Sequence, residues 1–259
     1  MTASPEQKRN RLFIILSGIF ITNALLAEII GVKIFSAEST VGLQPAQLNI
    51  LGFVMDFNLT AGALIWPVVF ITTDLINEYF GKPGVKRISY LTALLILYAF
   101  LVIYMTIELP PASWWAQLKD ADGNIFNMDL AFNRVLGQGL RIIVGSLTAF
   151  LIGQLVDVYV FQKLRHATRN RGIWLRATGS TLVSQLVDSF VVLFIAFYGV
   201  FATDQIIAIA ITNYIYKFAV AILLTPMIYL GHYMIDGYLG KENAAKMADQ
   251  AAKDSKGFF

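Results

Sequence analysis

The chain has 259 residues, of which 57% are apolar and only 14% are charged, and its mean hydropathy is +0.63. Soluble domains average about 45–50% apolar and about 25% charged residues, so this composition excludes a water-soluble globular protein. The absence of cysteine excludes disulfides, thiol nucleophiles and thiolate metal sites, and the two histidines, His166 and His232, are too few and too far apart to suggest a metal site.

Six apolar stretches are long enough to cross a membrane, for which a helix needs roughly 20 mostly apolar residues. They are residues 12–32, 61–80, 88–107, 132–164, 177–198 and 205–233. Pro67 and Pro226 lie inside the second and sixth stretches, where a proline removes a backbone hydrogen bond and favours a kink. We therefore predict an all-α integral membrane protein, with a six-helix transmembrane domain over residues 1–240 and a cytoplasmic tail over 241–259.

Three other segments lie in or between these stretches. Residues 48–57 are too short to span a membrane and then alternate polar and apolar side chains, which predicts a hairpin or re-entrant segment on the outer face. Gly145, Ala149 and Gly153 form a stripe of small residues that permits close packing of two helices. The Ala- and Lys-rich segment after residue 240 predicts a frayed helix.

The basic residues indicate the orientation in the lipid bilayer. Fifteen of the 20 Lys and Arg residues precede the first span, follow the last, or join spans 2 to 3 and 4 to 5. Because Lys and Arg are concentrated in cytoplasmic loops, both termini are expected in the cytoplasm and the number of spans is even.

Polar side chains recur inside five of the six spans. A charge near the centre of the bilayer costs at least ~2.5–3.5 kcal/mol on insertion scales, so these side chains are expected to face a cavity or a partner. Asp74, Asn77 and Glu78 share one helical face, which Phe70 and Trp66 extend outward. We predict a site for a polar solute, with substrate-binding candidates Asn23, Asp74, Asn77, Glu78, Arg141, Gln154, Asp157, Gln185, Asp188, Asn213, Tyr214 and Lys217.

Several candidates have a second interpretation, and the sequence leaves both open. Asp188 and Lys217 form either an ion pair that ties two helices together or part of the solute site. Arg141 either neutralises a carboxylate or contacts the solute. Asp157 and Glu78 lie either in the site or at a wetted cytoplasmic edge. The sequence has no P-loop, no dinucleotide-binding glycine motif and no H-E-x-x-H motif, so neither an enzyme nor a cofactor is expected.

Three stretches resemble a known family. They are residues 67–82 (PVVFITTDLINEYFGK), 141–165 (RIIVGSLTAFLIGQLVDVYVFQKLR) and 180–197 (STLVSQLVDSFVVLFIAF), followed by Tyr214 and Lys217. They resemble the bacterial queuosine precursor transporters, also grouped with vitamin uptake transporters, and the resemblance extends over about residues 12–235. The polar positions that match the family's pattern are Asn23, Asp74, Arg141, Gln154, Asp157, Gln185, Asp188 and Lys217.

The resemblance implies import of 7-cyano-7-deazaguanine, or of its aminomethyl derivative, across the bacterial inner membrane for transfer-RNA modification. It also implies a helical arrangement similar to the substrate-binding components of energy-coupling-factor importers. A secondary carrier for this small-molecule deazapurine is the first expectation. The alternative is a substrate-binding component of an ATP-driven energy-coupling-factor importer, although the first span lacks the A-x-x-x-A stripe with which such components dock.

A passive channel or an intramembrane enzyme is disfavoured, because the sequence contains no recognisable catalytic set. No nucleic-acid partner is expected, and the sequence leaves open whether the protein forms a homodimer.

Overall fold

The computed structural model describes residues 4–119, 125–137, 140–168 and 172–255. Within these ranges the chain is mainly helical. The helices are α1 (Pro5–Ile30), α2 (Ala37–Thr40), α3 (Trp66–Ile107), α4 (Ser113–Ala116), α5 (Met128–Leu136), α6 (Leu140–Ala167), α7 (Ile173–Phe197), α8 (Thr203–Leu223), α9 (Thr225–Leu239) and α10 (Lys241–Asp254), with a 3₁₀ helix at Ala61–Leu64. The strands are β1 (Ile34–Ser36), β2 (Leu48–Ile50), β3 (Phe53–Met55), β4 (Asn58–Thr60), β5 (Gln117–Lys119) and β6 (Ile125–Asn127).

Five of the described helices are long and apolar enough to cross a membrane, namely α1, α3, α6, α7 and α8. This confirms the expectation of an all-α membrane protein. Helix α3 contains the predicted second and third spans on either side of a kink at Gly81, whereas the predicted sixth span is divided between α8 and α9.

The 42-residue helix α3 reverses direction at Gly81, where φ is 66° and ψ is −170°, a conformation that glycine adopts at little cost. Residues 76 and 84 would lie about 12 Å apart along a straight helix. Here a Cβ atom built on Gly84 would lie only 3.4 Å from Cγ2 of Ile76, so the chain has turned back. Gln154 of α6 likewise contacts Thr73 before the kink and lines one cavity with Ser89 after it. Helix α3 therefore has two arms, residues 66–80 and 82–107, that lie beside each other.

The two prolines behave differently. Pro67 is the second residue of α3. Backbone N–H groups in the first turn of a helix form no hydrogen bond within the helix, so a proline is tolerated there. The predicted kink at Pro67 is therefore wrong. Pro226 is the second residue of α9, directly after α8 ends at Leu223, and the predicted break near Pro226 is confirmed.

The segment between α1 and α3 carries the predicted hairpin. Strands β2 and β3 pair antiparallel, and the residues that connect them, Leu51 and Gly52, have φ of 52° and 85°. Glu38 lies beside this hairpin and accepts hydrogen bonds from the Phe57 N–H at 2.7 Å, the Ala46 N–H at 3.3 Å and the Ser36 hydroxyl at 3.1 Å. These donors, chiefly the Phe57 N–H, hold the pKa of Glu38 below its usual range.

Helices α6 and α7 pack closely along the predicted stripe of small residues. A Cβ on Gly145 would lie 3.1 Å from the Val192 carbonyl oxygen, and one on Gly153 would lie 3.7 Å from Cβ of Asp188. Ala149, between the two glycines, is buried. The two glycines thus allow α6 and α7 to pack closely, which brings Gly153 of α6 beside Asp188 of α7.

The C-terminal helix α10 packs on the kink of α3 rather than fraying, so that sequence interpretation is wrong. The Lys82 N–H donates to Oγ of Ser255 at 2.9 Å, and Arg165 of α6 donates to the Ala248 carbonyl oxygen at 2.7 Å. A Cβ on Gly81 would lie 2.6 Å from the Ala251 carbonyl oxygen. Glycine is therefore required at residue 81 both by its positive φ and by the contact with α10.

Candidate functional site

The first cavity lies between the first arm of α3 and helices α7, α8 and α9. It encloses about 530 Å³ of empty space, including its mouth. Its lining is Ala63, Trp66, Pro67, Phe70, Ile71, Asp74, Thr178, Thr181, Gln185, Tyr216, Lys217, Val220, Ala221, Leu224 and Ile228. It is thus a largely apolar space with a few polar groups, the usual character of a small-molecule site.

The second cavity lies between the first arm of α3 and helices α6 and α7, and has about 300 Å³ of empty space, including its open mouth. Its lining is Trp66, Phe70, Phe150, Gly153, Gln154, Asp157, Ser184 and Asp188. Trp66 and Phe70 line both cavities, with stacked rings whose centroids lie 5.8 Å apart at 17°. The stacked rings of Trp66 and Phe70 therefore form part of the wall of both cavities.

Asp188 and Lys217 form an ion pair between α7 and α8. The Lys217 Nζ atom donates to Oδ2 of Asp188 at 2.6 Å, and about one fifth of each side chain is exposed. Lys217 lines the first cavity and Asp188 the second. The structure thus shows the ion pair, one of the two alternatives that the sequence left open, and both residues line a cavity.

Asp74 and Asp157 are buried acids without a basic partner. They are 2% and 5% exposed, and within the described ranges no Lys, Arg or His nitrogen forms a salt bridge with either. Oδ1 of Asp74 and Oδ2 of Asp157 are buried with no hydrogen-bond partner among the described residues, as is Oε1 of Gln185. Buried polar atoms normally have a partner, so these three oxygens indicate a place for a ligand.

Glu78 and Asn77 face away from both cavities. The Glu78 carboxylate accepts from Arg176 at 2.8 Å and from Arg165 at 3.4 Å, and Arg165 also donates to the Glu78 carbonyl oxygen at 3.3 Å. Oδ1 of Asn77 accepts from Gln162 at 2.7 Å. The two arginines, counted as part of a basic loop in the sequence, are 2% and 3% exposed and reach into the bundle.

The remaining candidates are placed as follows. Asn23 donates to the Ile19 carbonyl oxygen of its own helix at 2.8 Å, and neither Asn213 nor Tyr214 lines either cavity. The Tyr214 ring packs against Phe218. The Arg141 side chain lies outside the described residues.

The structure also shows polar residues that the sequence interpretation did not select. Tyr216 lines the first cavity and Ser184 the second, each one position or one turn from a selected residue. Glu28 of α1 is 8% exposed and accepts from the Ser146 hydroxyl of α6 at 2.5 Å. The sequence could have indicated Glu28, because it is the one charged residue within residues 12–30, an otherwise uncharged span. Among the described residues, no group of three or more His, Cys, Asp or Glu is gathered as a metal site.

The chain is similar to a known family of membrane proteins, and the family match includes the residues that line both cavities. A family model described as a putative vitamin uptake transporter matches residues 60–231. A probable queuosine precursor transporter of Bacillus subtilis (strain 168) is 33% identical over 193 residues, covering 73% of this chain and 80% of that protein. The queuosine precursor transporter of Escherichia coli (strain K12) is 31% identical over 176 residues, covering 66% of this chain and 71% of that protein.

The chain belongs to the queuosine precursor transporter family. A third relative, the probable queuosine precursor transporter of Haemophilus influenzae (strain ATCC 51907 / DSM 11121 / KW20 / Rd), is 27% identical over 186 residues. No solved structure matches the chain significantly. Queuosine precursor transporters are not enzymes, and this chain has the apolar helices of a multi-pass membrane protein.

Proposed function

We propose that this protein imports a queuosine precursor, 7-cyano-7-deazaguanine or its aminomethyl form, as a secondary carrier. The observation that carries this proposal is the first cavity, which is lined by a stacked aromatic pair and by Asp74, whose Oδ1 has no partner among the described residues. The names of the three curated relatives support the substrate class.

The chemistry of a deazaguanine fits this cavity. The base is flat, and its ring N–H and exocyclic amine are adjacent donors that a single carboxylate can accept together. Asp74 supplies that carboxylate, and the amide of Gln185, whose Oε1 has no partner in the described chain, lies on the same cavity. Trp66 and Phe70 offer an aromatic face, and base stacking on such faces contributes about 1–3 kcal/mol per base in nucleic-acid complexes.

The Asp188–Lys217 pair completes the proposed ligand set. Lys217 has two further N–H donors, which suit the carbonyl oxygen of the base. Asp188 holds the ammonium group at 2.6 Å and thereby fixes its position beside the first cavity. The same pair also ties α7 to α8, so a change at either residue is expected to affect both binding and stability.

We propose six membrane crossings with both termini in the cytoplasm of a bacterial inner-membrane protein. The crossings are α1, the two arms of α3, α6, α7, and α8 together with α9. The kink at Gly81, on which α10 packs, supports two separate crossings by the arms of α3, with α10 at the proposed cytoplasmic end of the bundle. The basic residues before α1 and around residues 82–87, 163–176 and 241–256 agree with this orientation. The fold is proposed to resemble substrate-binding components of energy-coupling-factor importers.

The test is uptake of labelled 7-cyano-7-deazaguanine into proteoliposomes that contain only this protein. We expect saturable uptake, and loss of uptake in Asp74→Ala. Val54→Ala, on the exposed face of the β2–β3 hairpin, is the control and should transport normally. Binding without uptake would instead support a substrate-binding component that needs an ATP-driven module, and absence of binding would contradict the proposed substrate.

A further inference from the structure

The buried acids of the bundle fall into two electrostatic classes. Glu78 and Asp188 each have a Lys or Arg nitrogen within hydrogen-bond distance, whereas the described ranges contain no such partner for Asp74 or Asp157. The Arg176 guanidinium, whose charge acts on Asp74, is already hydrogen-bonded to Glu78. An isolated carboxylate is costly to bury, so each of these two side chains is either protonated or balanced by a cation that binds beside it.

Oxygen atoms surround Asp157. Oγ of Ser184 lies 3.3 Å from Oδ1 of Asp157, and the Ser180 hydroxyl also contacts this carboxylate. A hydroxyl bound to a carboxylate usually lies at about 2.5–2.7 Å, so the contact with Ser184 is long. The Ser184 hydroxyl has a nearer backbone acceptor in the Thr181 carbonyl oxygen at 3.0 Å, and the Ser180 hydroxyl has one in the Ala177 carbonyl oxygen at 3.1 Å. Asp157 therefore receives a long hydrogen bond at Oδ1 from Ser184, and its buried Oδ2 has no partner among the described residues.

The same arrangement recurs toward α3. Oγ1 of Thr73 lies 3.4 Å from Oε1 of Gln154, while its proton has an acceptor at 2.9 Å in the Val69 carbonyl oxygen. Gln154 precedes Asp157 by three residues and lines the same cavity. Asp74 follows Thr73 directly, and its Oδ1 atom is buried without a partner in the described chain. Among the described residues, these side chains thus offer two buried carboxylate oxygens with no partner and no basic group to balance their charge, which a bound cation would supply.

We propose that these oxygens bind a sodium ion that is imported together with the substrate. The ligands are the Asp157 carboxylate, the hydroxyls of Ser180 and Ser184 and the Gln154 carbonyl oxygen, with Oδ1 of Asp74 nearby. Hard cations take oxygen ligands, but Ca²⁺ needs 6–8 of them and Mg²⁺ usually keeps several waters. A dry site with fewer oxygens therefore fits a monovalent ion.

This proposal rests on the proposed function, because it gives Asp74 two roles. A cation beside Asp157 stabilises the ionised form of Asp74, which is the form that accepts the two donors of the deazaguanine. The ion and the substrate therefore bind cooperatively, and by linkage each strengthens the other to the same extent. An inward sodium gradient would then drive the import.

The first experiment needs no substrate. The full-length protein in lipid nanodiscs is unfolded by heat in NaCl, KCl or choline chloride at equal ionic strength. We expect NaCl alone to raise the Tm, and we expect Asp157→Asn and Ser184→Ala to abolish this difference. Ser189→Ala is the matched control, since Ser189 is a buried serine of α7 that lines neither cavity. Equal Tm values for the wild type in the three salts would overturn the sodium site.

The second experiment measures the Kd of 7-cyano-7-deazaguanine with and without sodium. We expect about tenfold tighter binding in NaCl than in choline chloride, and no difference in Ser184→Ala. Binding that is equally tight in both salts, or that follows pH alone, would overturn the sodium site and leave the proposed substrate intact. A sodium-dependent Tm without deazaguanine binding would support the sodium site and contradict the proposed substrate.

Discussion

The two ends of the first arm of α3 use buried acids in opposite ways. At the end near the kink, Glu78 accepts hydrogen bonds from Arg165 and Arg176, and Arg165 also holds α10 through the Ala248 carbonyl oxygen. One turn away, Asp74 faces the first cavity and has an oxygen without a partner among the described residues. The same helix therefore carries one acid that is paired with two arginines and one that has no basic partner among the described residues.

This difference separates structural acids from functional ones. A buried acid with basic partners stabilises the folded state only while the partners remain, because removal of one leaves the other uncompensated. A buried acid without such a partner gives little to stability, and its presence is explained by a ligand that the protein binds. Substitutions at the two kinds of acid should therefore have opposite consequences.

The largest loss of stability is expected at Glu78. Glu78→Gln leaves the guanidinium groups of Arg165 and Arg176 buried without a carboxylate, which should lower the free energy of unfolding by about 3–5 kcal/mol. Denaturant unfolding of the protein in micelles measures this free energy. Glu242→Gln is the control, because Glu242 pairs with Lys246 on the exposed face of α10 and should matter little. Equal stability of Glu78→Gln and the wild type would contradict a structural role for the Glu78 ion pairs.

A smaller loss is expected at the kink. Gly81→Ala places a side chain at φ 66° and against the Ala251 carbonyl oxygen, so the free energy of unfolding should fall by about 2–3 kcal/mol. Hydrogen exchange should show faster exchange of the α10 amides while α7 is unchanged. Gly237→Ala, where a Cβ would meet nothing within 4 Å, is the matched control. Unchanged protection of α10 would show that it does not depend on the kink.

Asp188 and Lys217 test the border between the two classes. Lys217→Met should lower the free energy of unfolding by about 1–2 kcal/mol, because it leaves a partly buried carboxylate without its cation. Adding Asp188→Asn should recover stability but not transport, if the pair also holds the substrate. A double-mutant cycle with unfolding and uptake as readouts separates these effects. Recovery of both together would mean a purely structural pair.

The smallest effect is expected at Glu38, outside the bundle. Because its folded-state pKa is lowered by the Phe57 N–H and the other donors, the ionised form adds stability at pH values above the unfolded-state pKa of about 4.3. This contribution should disappear as the pH falls through the lower folded-state value. Thermal unfolding of the wild type and Glu38→Gln from neutral to acidic pH should therefore converge at low pH. A difference that grows on acidification would contradict the assignment.

Hydropathy predicted the helices well, because a 20-residue apolar run has few alternatives in a membrane protein. It also separated residues 61–80 from 88–107, on either side of the reversal at Gly81, but it could not predict that Gly81 packs against Ala251 and Ser255, about 170 residues further along the chain. Within the site, helical spacing grouped Asp74 with Glu78, but spacing does not show which neighbour each one meets. Asn23 illustrates the same limit, because a span that is apolar all round does not reveal its inward face.

Asp74→Asn gives the most direct test that unpaired acids of this bundle serve a ligand. The wild type and the variant are purified separately. For each protein, its Tm and its Kd for 7-cyano-7-deazaguanine are measured on the same preparation. A charged hydrogen bond contributes about 1.5–3 kcal/mol, so binding should weaken by roughly 10- to 150-fold, while the Tm stays equal or rises. A lower Tm with an unchanged Kd would contradict the account, since Asp74 would then be a structural acid like Glu78.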